Sequence, residues 1–303
     1  MRPWLAAVAA VLIGTVSAHP DSSPSSPKAI SNQPITGLFA TAGISEPSVR
    51  VISWNIDRGY HLDRVIDTLR NERPSICLLQ EVDLHNRRTG NRDVARTIAE
   101  TLKYNYAYGI EFEELSQQVN GQPAFHGQAT LATAPILASR VLRFVHQSDF
   151  WRPHGIIPDI PLFQRRLGGR IALITELSIA GSPVVVYNLH LESRSGGKIQ
   201  SAQIQEVLED LKRYPDGAYA IIGGDFNSKY HPARVLRMLE RAGFRSVLGR
   251  RIERTHVIIG SLDWIFVRGA WSVQDARIMR GTHASDHDEV MADLLRDKSF
   301  KKR

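Results

Sequence analysis

Carboxylate, carboxamide and imidazole side chains border several short apolar segments of this 303-residue chain. Five segments each end at, or directly follow, a carboxylate, a carboxamide or an imidazole. The polar residues at these places are Asn55 and Asp57, Glu81, Asn188 and His190, Asp225 and Asn227, and Asp286 and His287. Binding and catalytic groups of α/β proteins gather at one edge of the sheet, on loops that the strands hold in place. The pattern therefore predicts one convergent site.

The residue types at this predicted site suit one kind of chemistry. Carboxylate and carboxamide oxygens favour a hard cation, Mg²⁺ or Mn²⁺, over zinc. Beside such a cation, a carboxylate can position and deprotonate water while an imidazolium donates to the developing anion. The combination predicts hydrolysis of a phosphate ester.

Each of these residues also has a structural explanation when it is taken alone. Asn55 and Asn227 are typical turn or helix-cap residues. His190 could be a hydrogen-bonded, half-buried imidazole, and Asp286 could cap a strand. The joint occurrence of all of them, in this order, favours the catalytic interpretation.

Composition limits the class of protein. With 43% hydrophobic and 23% charged residues, the chain can bury a sizeable core, which excludes disorder over most of its length. One cysteine, Cys77, excludes an intramolecular disulfide framework and a multi-cysteine metal site. A net charge of +7 and a pI near 9.7 favour polyanionic partners such as nucleic acid, phosphorylated substrates or an acidic membrane face.

The first residues have the three-part pattern of a secretory signal peptide, with a basic start, a short apolar run and small residues at Val16-Ser17-Ala18. An uncleaved anchor is the alternative. We predict a signal peptide over 1–18, a Ser/Pro-rich flexible linker over 19–48, one domain over 49–296 and a basic tail over 297–303. The mature protein is expected to be secreted or periplasmic.

Short apolar, β-branched segments alternate with a few amphipathic ones inside the predicted domain. The predicted strands are Val49–Trp54, Ile76–Gln80, Ala129–Thr133, Val141–Val145, Ile171–Ile179, Val184–Leu189, Ala218–Gly223, Leu262–Val267 and Val290–Leu295. The predicted helices are Leu62–Arg70, Val94–Leu102, Ile199–Leu211 and Ala233–Ala242. Because several strands follow one another without a helix between them, a layered α/β fold with mixed sheets fits better than a doubly wound parallel sheet.

At these residues the sequence resembles the endonuclease/exonuclease/phosphatase superfamily, the metal-dependent hydrolases related to pancreatic deoxyribonuclease and the major human abasic-site endonuclease. The matching motifs span about residues 50 to 295. They are Ser53-Trp54-Asn55-Ile56-Asp57, Leu79-Gln80-Glu81-Val82, Asn188-Leu189-His190-Leu191, Gly223-Gly224-Asp225-Phe226-Asn227, Leu262-Asp263-Trp264-Ile265 and Ser285-Asp286-His287. The resemblance implies an α/β (α+β) four-layered sandwich, with two mixed β-sheets packed face to face and helices on the outside.

The resemblance also implies a role for each motif residue. Glu81 is the principal metal ligand, helped by Asn55 and Asp286. Asp225 orients and deprotonates the attacking water, and Asn227 fixes that carboxylate and the phosphate. Asp263 holds the tautomer of His287, which contacts the scissile phosphate, while His190 stabilises the pentavalent state or protonates the leaving oxygen.

Five further residues match the superfamily less closely. Asp57 matches an acid of some members of the superfamily or caps the next segment. Glu111 or Glu113 pairs with His190 or is a surface charge. Arg170 contacts substrate phosphate or is an exposed strand-start residue. Gln128, also a candidate substrate contact, stands where relatives often carry Asn.

Three functions are compatible with the sequence. The first is a secreted nuclease, suggested by the positive charge and by arginine pairs such as Arg87-Arg88, Arg165-Arg166 and Arg250-Arg251. The second is a lipid phosphodiesterase of sphingomyelinase or lipid-remodelling type, in which the apolar and aromatic segment Phe150–Ile157 touches a membrane. The third is a non-catalytic binding module. The expected cofactor is Mg²⁺ or Mn²⁺, and the expected partner is nucleic acid or phospholipid.

Overall fold

The structure is a computed structural model that describes residues 30–41, 43–153, 155–158, 160, 163–229, 232–257 and 260–296. The predicted signal peptide and basic tail lie outside these residues. In the part of the chain that is described, no helix is both long and apolar enough to cross a bilayer.

The fold consists of two mixed β-sheets with four α-helices outside them. The first sheet contains β1 (Ile35–Gly37), β2 (Ser48–Arg58), β3 (Ile76–Asn86), β4 (Arg92–Asp93), β5 (Asn105–Glu114), β6 (Phe125–Ala132), β8 (Arg166–Gly168), β14 (Trp271–Met279) and β15 (Glu289–Arg296). The second contains β7 (Ile136–Arg143), β9 (Ile171–Ile179), β10 (Ser182–His190), β11 (Ala220–Asp225), β12 (Arg245–Ser246) and β13 (Asp263–Arg268). The helices are α1 (Leu62–Glu72), α2 (Val94–Leu102), α3 (Lys198–Leu211) and α4 (Pro232–Arg241).

Each sheet has one parallel pair at its centre. The main order of the first sheet is β1-β5-β6-β3-β2-β15-β14, and β2 and β3 are its parallel pair. The second sheet has the order β12-β13-β11-β10-β9-β7, and β10 and β11 are its parallel pair. The carboxyl ends of two parallel strands meet at one edge, so each central pair presents its last residues together.

Three apolar layers hold the fold together, because the central strands are covered on both faces. Leu78 and Ile221 lie in the layer between the two sheets. Their neighbours point the other way, since side chains alternate along a strand. Leu79 packs toward α1 and α2, and Ile222 packs toward α3 and α4. The predicted four-layered sandwich is confirmed.

Every predicted strand and helix overlaps an observed element, but several strands were missed. β14 lies at the edge of its sheet, where most of its side chains are at least partly exposed. Its polar residues therefore interrupt the apolar pattern on which the prediction depended. The strands β4, β8 and β12 are only two or three residues long, too short to show any periodicity.

Part of the stretch 19–48 packs against the domain, which corrects the prediction that it is a flexible linker over its whole length. β1 pairs with β5 from Ile35↔Tyr108 to Gly37↔Tyr106. The Asn105 side chain accepts hydrogen bonds from the backbone N–H groups of Phe39 and Ala40, each at 3.1 Å. Strand pairing depends on backbone groups, so a Ser/Pro-rich composition did not reveal it.

Candidate active site

The carboxyl ends of the two central strand pairs face each other across the sandwich. In the second sheet His190 is the register partner of Asp225, and Asp225 is the partner of Asp263. Asn55, near the end of β2, donates from Nδ2 to Asp225 Oδ2 at 3.4 Å and so links the two sheets. The strand ends that the sequence singled out are therefore brought to one place.

A glycine allows this close approach. Gly224 has φ 145°, and a Cβ atom there would lie 1.9 Å from the backbone oxygen of Leu189. Only glycine tolerates both the dihedral and the contact. As a result the ends of β10 and β11 stay close, and His190 Nε2 lies 3.7 Å from Asp225 Oδ2.

Asp225 is held in one orientation by amide donors. The backbone N–H of Asn227 donates to Asp225 Oδ1 at 2.9 Å, and Asn227 Nδ2 donates to Oδ2 at 3.1 Å. Asn227 has φ 47°, a left-handed conformation in which asparagine is enriched. This buried carboxylate is suited to accept a proton, since its hydrogen bonds fix where it points.

His287 forms a buried pair with Asp263. Nδ1 of His287 lies 2.8 Å from Asp263 Oδ2. Burial raises the pKa of Asp263 to about 6, although the imidazolium opposes this shift. Burial disfavours a charge on His287, but Asp263 outweighs burial and raises the pKa of His287 to about 10. The imidazole is therefore positively charged at neutral pH and suited to contact an anion.

His190 forms the second such pair, with Glu111. The atoms His190 Nδ1 and Glu111 Oε1 lie 3.1 Å apart. Arg170 Nη1 is 2.8 Å from Glu111 Oε2 and 2.7 Å from His190 Nδ1. Glu113 instead accepts a hydrogen bond from Gln118 at 3.3 Å. Glu111 is therefore the partner of His190.

The structure buries both candidate substrate contacts, Arg170 and Gln128. Arg170 is buried rather than exposed at the start of its strand. Gln128 is fully buried and donates from Nε2 to Glu111 at 2.9 Å and to the backbone oxygen of Ile171 at 3.0 Å. Gln128 therefore has no exposed surface that phosphate could contact. Its hydrogen bond instead helps to hold the Glu111 carboxylate in place.

The predicted metal ligands offer only oxygen atoms, and the carboxylates of Glu81 and Asp286 both act on the nearby carboxyl of Asp57. Burial raises the pKa of Asp57, and the negative charges of Glu81 and Asp286 raise it further against the opposing charge of Arg58. These carboxylates thus repel one another, a repulsion that a divalent cation would offset. Burial alone would raise the pKa of Glu81, but surrounding positive charges lower it, so it is an anion. Asn55, Glu81 and Asp286 fit a hard cation.

Comparison with known proteins identifies the family. A sequence profile of the Endonuclease/Exonuclease/phosphatase family matches residues 52–287, most of the chain. The chain belongs to this family. Its members are metal-dependent phosphoric ester hydrolases, and the chain is an enzyme of that class. No curated protein sequence gave a significant match.

Solved structures of the endonuclease/exonuclease/phosphatase fold superimpose on the chain at low sequence identity. A protein named for the family, from Beutenbergia cavernae, is 17% identical with a TM-score of 0.63, covering 82% of this chain and 71% of its own. The human Nocturnin catalytic domain is 18% identical with a TM-score of 0.62, and the match covers 86% of this chain and 97% of the Nocturnin domain. Truncated Caenorhabditis elegans TDP2 is 22% identical with a TM-score of 0.56, and the match covers 82% of this chain and 97% of the TDP2 chain. At these identities the likeness shows the fold.

Sequence reasoning missed two histidines that this member of the family places at the site. His256 Nε2 lies 3.4 Å from Asp286 Oδ2, and its ring makes an edge contact with His287 at 4.7 Å between centroids. His126 Nδ1 lies 3.0 Å from Asp83 Oδ1. Both histidines contribute to groups whose possible metal-ligating atoms lie within 4.8 Å of one another, namely Glu111, His126 and His190, and His256, Asp286 and His287. Neither stands at the end of a predicted strand, so the sequence carried no signal for them.

Proposed function

We propose that this enzyme is a secreted, Mg²⁺-dependent phosphodiesterase with a nuclease-like activity. The observation that carries the proposal is the placement of Asp225, a buried carboxylate oriented by Asn227 and 3.7 Å from the imidazole of His190. Across the β11–β13 pairing, Asp263 holds the second imidazole, that of His287. One carboxylate between two imidazoles supplies a base for water and two donors for an oxyanion.

Each residue then has a defined task. Asp225 holds the attacking water and takes its proton. His287, charged because of Asp263, donates to a phosphate oxygen, and His190 donates to the pentavalent state or the leaving oxygen. Asn55, Glu81 and Asp286 would hold the cation, which supplies positive charge against the phosphate oxygens.

Exposed arginines support a nucleic-acid backbone as the substrate. Of the arginine pairs noted in the sequence, Arg88 and Arg166 are ion-paired with Glu114 at 3.4 Å and 2.8 Å. The other members are exposed on the surface, and these are Arg87, Arg165, Arg250 and Arg251, of which Arg251 is also ion-paired with Glu253 at 3.5 Å. Together with the net charge of +7, they favour a long polyanion.

A lipid phosphodiesterase remains the second candidate, favoured by one observation. The side chains of Ile156 and Ile157 are 101% and 50% exposed, and exposed apolar groups in a surface loop can enter a lipid interface. Export of either enzyme is supported by the signal-peptide pattern of 1–18, and N-terminal sequencing of the secreted protein tests it.

Plasmid nicking by the chain from His19 onward, with Mg²⁺ and with chelator, tests the main proposal beside an Asp225→Asn control. We expect nicking that requires the metal and is lost in the control. Folded protein that nicks no plasmid but hydrolyses sphingomyelin vesicles would support the second candidate instead. Turnover of p-nitrophenyl phosphate but not of bis(p-nitrophenyl) phosphate would contradict a phosphodiesterase of either kind.

A further inference from the structure

A chain of aromatic rings and guanidinium groups in contact with one another leads from the active site to the surface. The Arg170 guanidinium lies 5.7 Å from the ring centroid of Phe112, and Trp151 contacts the same ring edge-on at 4.9 Å. Phe150 follows at 6.3 Å from Trp151, and the guanidinium of Arg194 lies 4.5 Å over the Phe150 ring. We call Phe112, Trp151, Phe150 and Arg194 the aromatic ladder.

The ladder is fixed to the strand ends that carry the catalytic groups. Gln147 exchanges two hydrogen bonds with the backbone of Arg170, at 2.9 and 3.0 Å. The carboxylate of Glu192, two residues after His190, accepts from the backbone N–H groups of Ser148 and Arg194, each at 3.1 Å. Both outer members of the ladder therefore keep a defined position relative to His190.

Exposure increases along the ladder. Phe112 is fully buried, Trp151 is partly buried and Phe150 is 45% exposed, while Arg194 is exposed. At its outer end the exposed Arg194 guanidinium lies over the Phe150 ring, four residues along the chain from His190. Unpaired bases stack on such rings and on arginine planes, whereas the bases of a duplex are already stacked.

We propose that the outer end of the aromatic ladder, the Arg194 guanidinium over the Phe150 ring, binds an unpaired nucleobase of the substrate, which makes single-stranded nucleic acid the preferred substrate. The proposal rests on the proposed phosphodiesterase function. A nucleobase is favoured over the hydrocarbon of a lipid here because a guanidinium covers the Phe150 ring, and arginine planes stack on bases. A base that stacks on the outer face of the Arg194 guanidinium leaves the edge N–H groups of that guanidinium in water.

Fluorescence anisotropy tests the proposal by binding rather than turnover. The assay is run in the presence of chelator. It compares two labelled ligands of equal length, namely oligothymidylate and a backbone of the same charge that carries no bases. We expect Phe150→Ala to weaken oligothymidylate binding by about 5-fold to 100-fold, the range for one stacked base, and to leave the baseless backbone unaffected. Phe163→Ala is the matched control, since Phe163 is 48% exposed and not part of the ladder.

Arg194→Lys provides a second variant that does not endanger folding, because Arg194 is exposed. It keeps the charge and removes the planar group, so we expect it also to weaken only the base-containing ligand. Equal effects of Phe150→Ala on both ligands, or no effect, would overturn the proposal. The proposal would also be overturned if Phe150→Ala lost binding to anionic phosphatidylserine vesicles while its binding to oligothymidylate stayed unchanged. Hydrolysis of bis(p-nitrophenyl) phosphate by the unmodified enzyme checks the phosphodiesterase function separately.

Discussion

The two carboxylate–imidazole pairs beside Asp225 differ in the charges that surround the carboxylate. Glu111 faces His190 and also Arg170, which has a guanidinium nitrogen 2.8 Å from it. Although burial opposes ionisation, these positive charges lower the pKa of Glu111. In the other pair the His287 imidazole is the charged partner within 2.8 Å of Asp263, and burial raises the pKa of that carboxyl to about 6.

This difference separates a carboxylate that stays ionised from one that gains a proton near pH 6. Arginine keeps its proton at any physiological pH, so Glu111 always has a cation beside it. Asp263 and His287 instead keep each other charged, and protonation of Asp263 removes the anion that holds the His287 proton. We therefore expect loss of the Glu111 carboxylate to show mainly in stability, and loss of the Asp263 carboxylate to show mainly in the pH dependence of the reaction.

The largest effect is expected at Asp225, which lies between the two pairs. Asp225→Asn removes the base and keeps the size of the side chain, so kcat should fall by about 10²- to 10⁴-fold. Steady-state hydrolysis of bis(p-nitrophenyl) phosphate measures it. A variant that melts like the unmodified enzyme and keeps its kcat would exclude Asp225 as the base.

Glu111→Gln tests the pair that contains an arginine. The change leaves Arg170 buried without its carboxylate, so the free energy of unfolding should fall by about 3–5 kcal/mol. Urea unfolding measures this loss. Glu113→Gln is the matched control and should change stability by less than about 0.5 kcal/mol, since Glu113 contacts Gln118 instead. Equal losses in both variants would contradict the comparison.

Asp263→Asn tests the pair without an arginine. In the unmodified enzyme, kcat/KM should fall below about pH 6, where Asp263 gains a proton. In the variant, kcat should be roughly 100-fold lower, and activity should now fall as pH rises through about 6.5, because His287 returns toward its ordinary pKa. An unchanged pH–rate profile would show that this pair does not control the reaction.

Glu289 extends the comparison to a buried carboxylate that depends on neither pair. Burial raises its pKa to about 7 from an ordinary value of 4.5. Because the fold favours the protonated form, stability is present below about pH 4.5 and decreases as pH rises through about 7. Glu289→Gln should therefore be more stable than the unmodified enzyme by about 2 kcal/mol near pH 8 and similar to it near pH 4. Thermal melting at the two pH values checks this, and a variant less stable near pH 8 would refute it.

The positions of the site residues could be predicted because they depend on local order along the chain. Asn55, Glu81, His190 and Asp225 each stand at or just after a segment whose apolar pattern marks a strand. Since parallel neighbours end at the same edge, these local signals also predicted a common location. The structure brings the residues together as that argument requires, through the link from Asn55 to Asp225.

Residues without such a local signal could not be placed. His256 precedes the strand that starts at Asp263 by several residues and reaches Asp286 through a bridge between His256 and His287. Glu111 and Glu113 stand two apart on one strand, so their sequence context was equivalent. Only the tertiary contacts of Arg170 and Gln128 with Glu111 distinguish Glu111 from Glu113.

The sequence by itself determined the order of strands and helices, the family and the set of polar residues at the strand ends, because these follow from hydrophobic periodicity and short motifs. Tertiary structure alone decided which carboxylate each histidine faces, and with it whether an arginine supplies the counter-charge. Both depend on contacts between residues far apart in the chain, such as Glu111 with His190 and Asp263 with His287. Burial then sets the pKa of each carboxyl, and burial is a property of the folded chain.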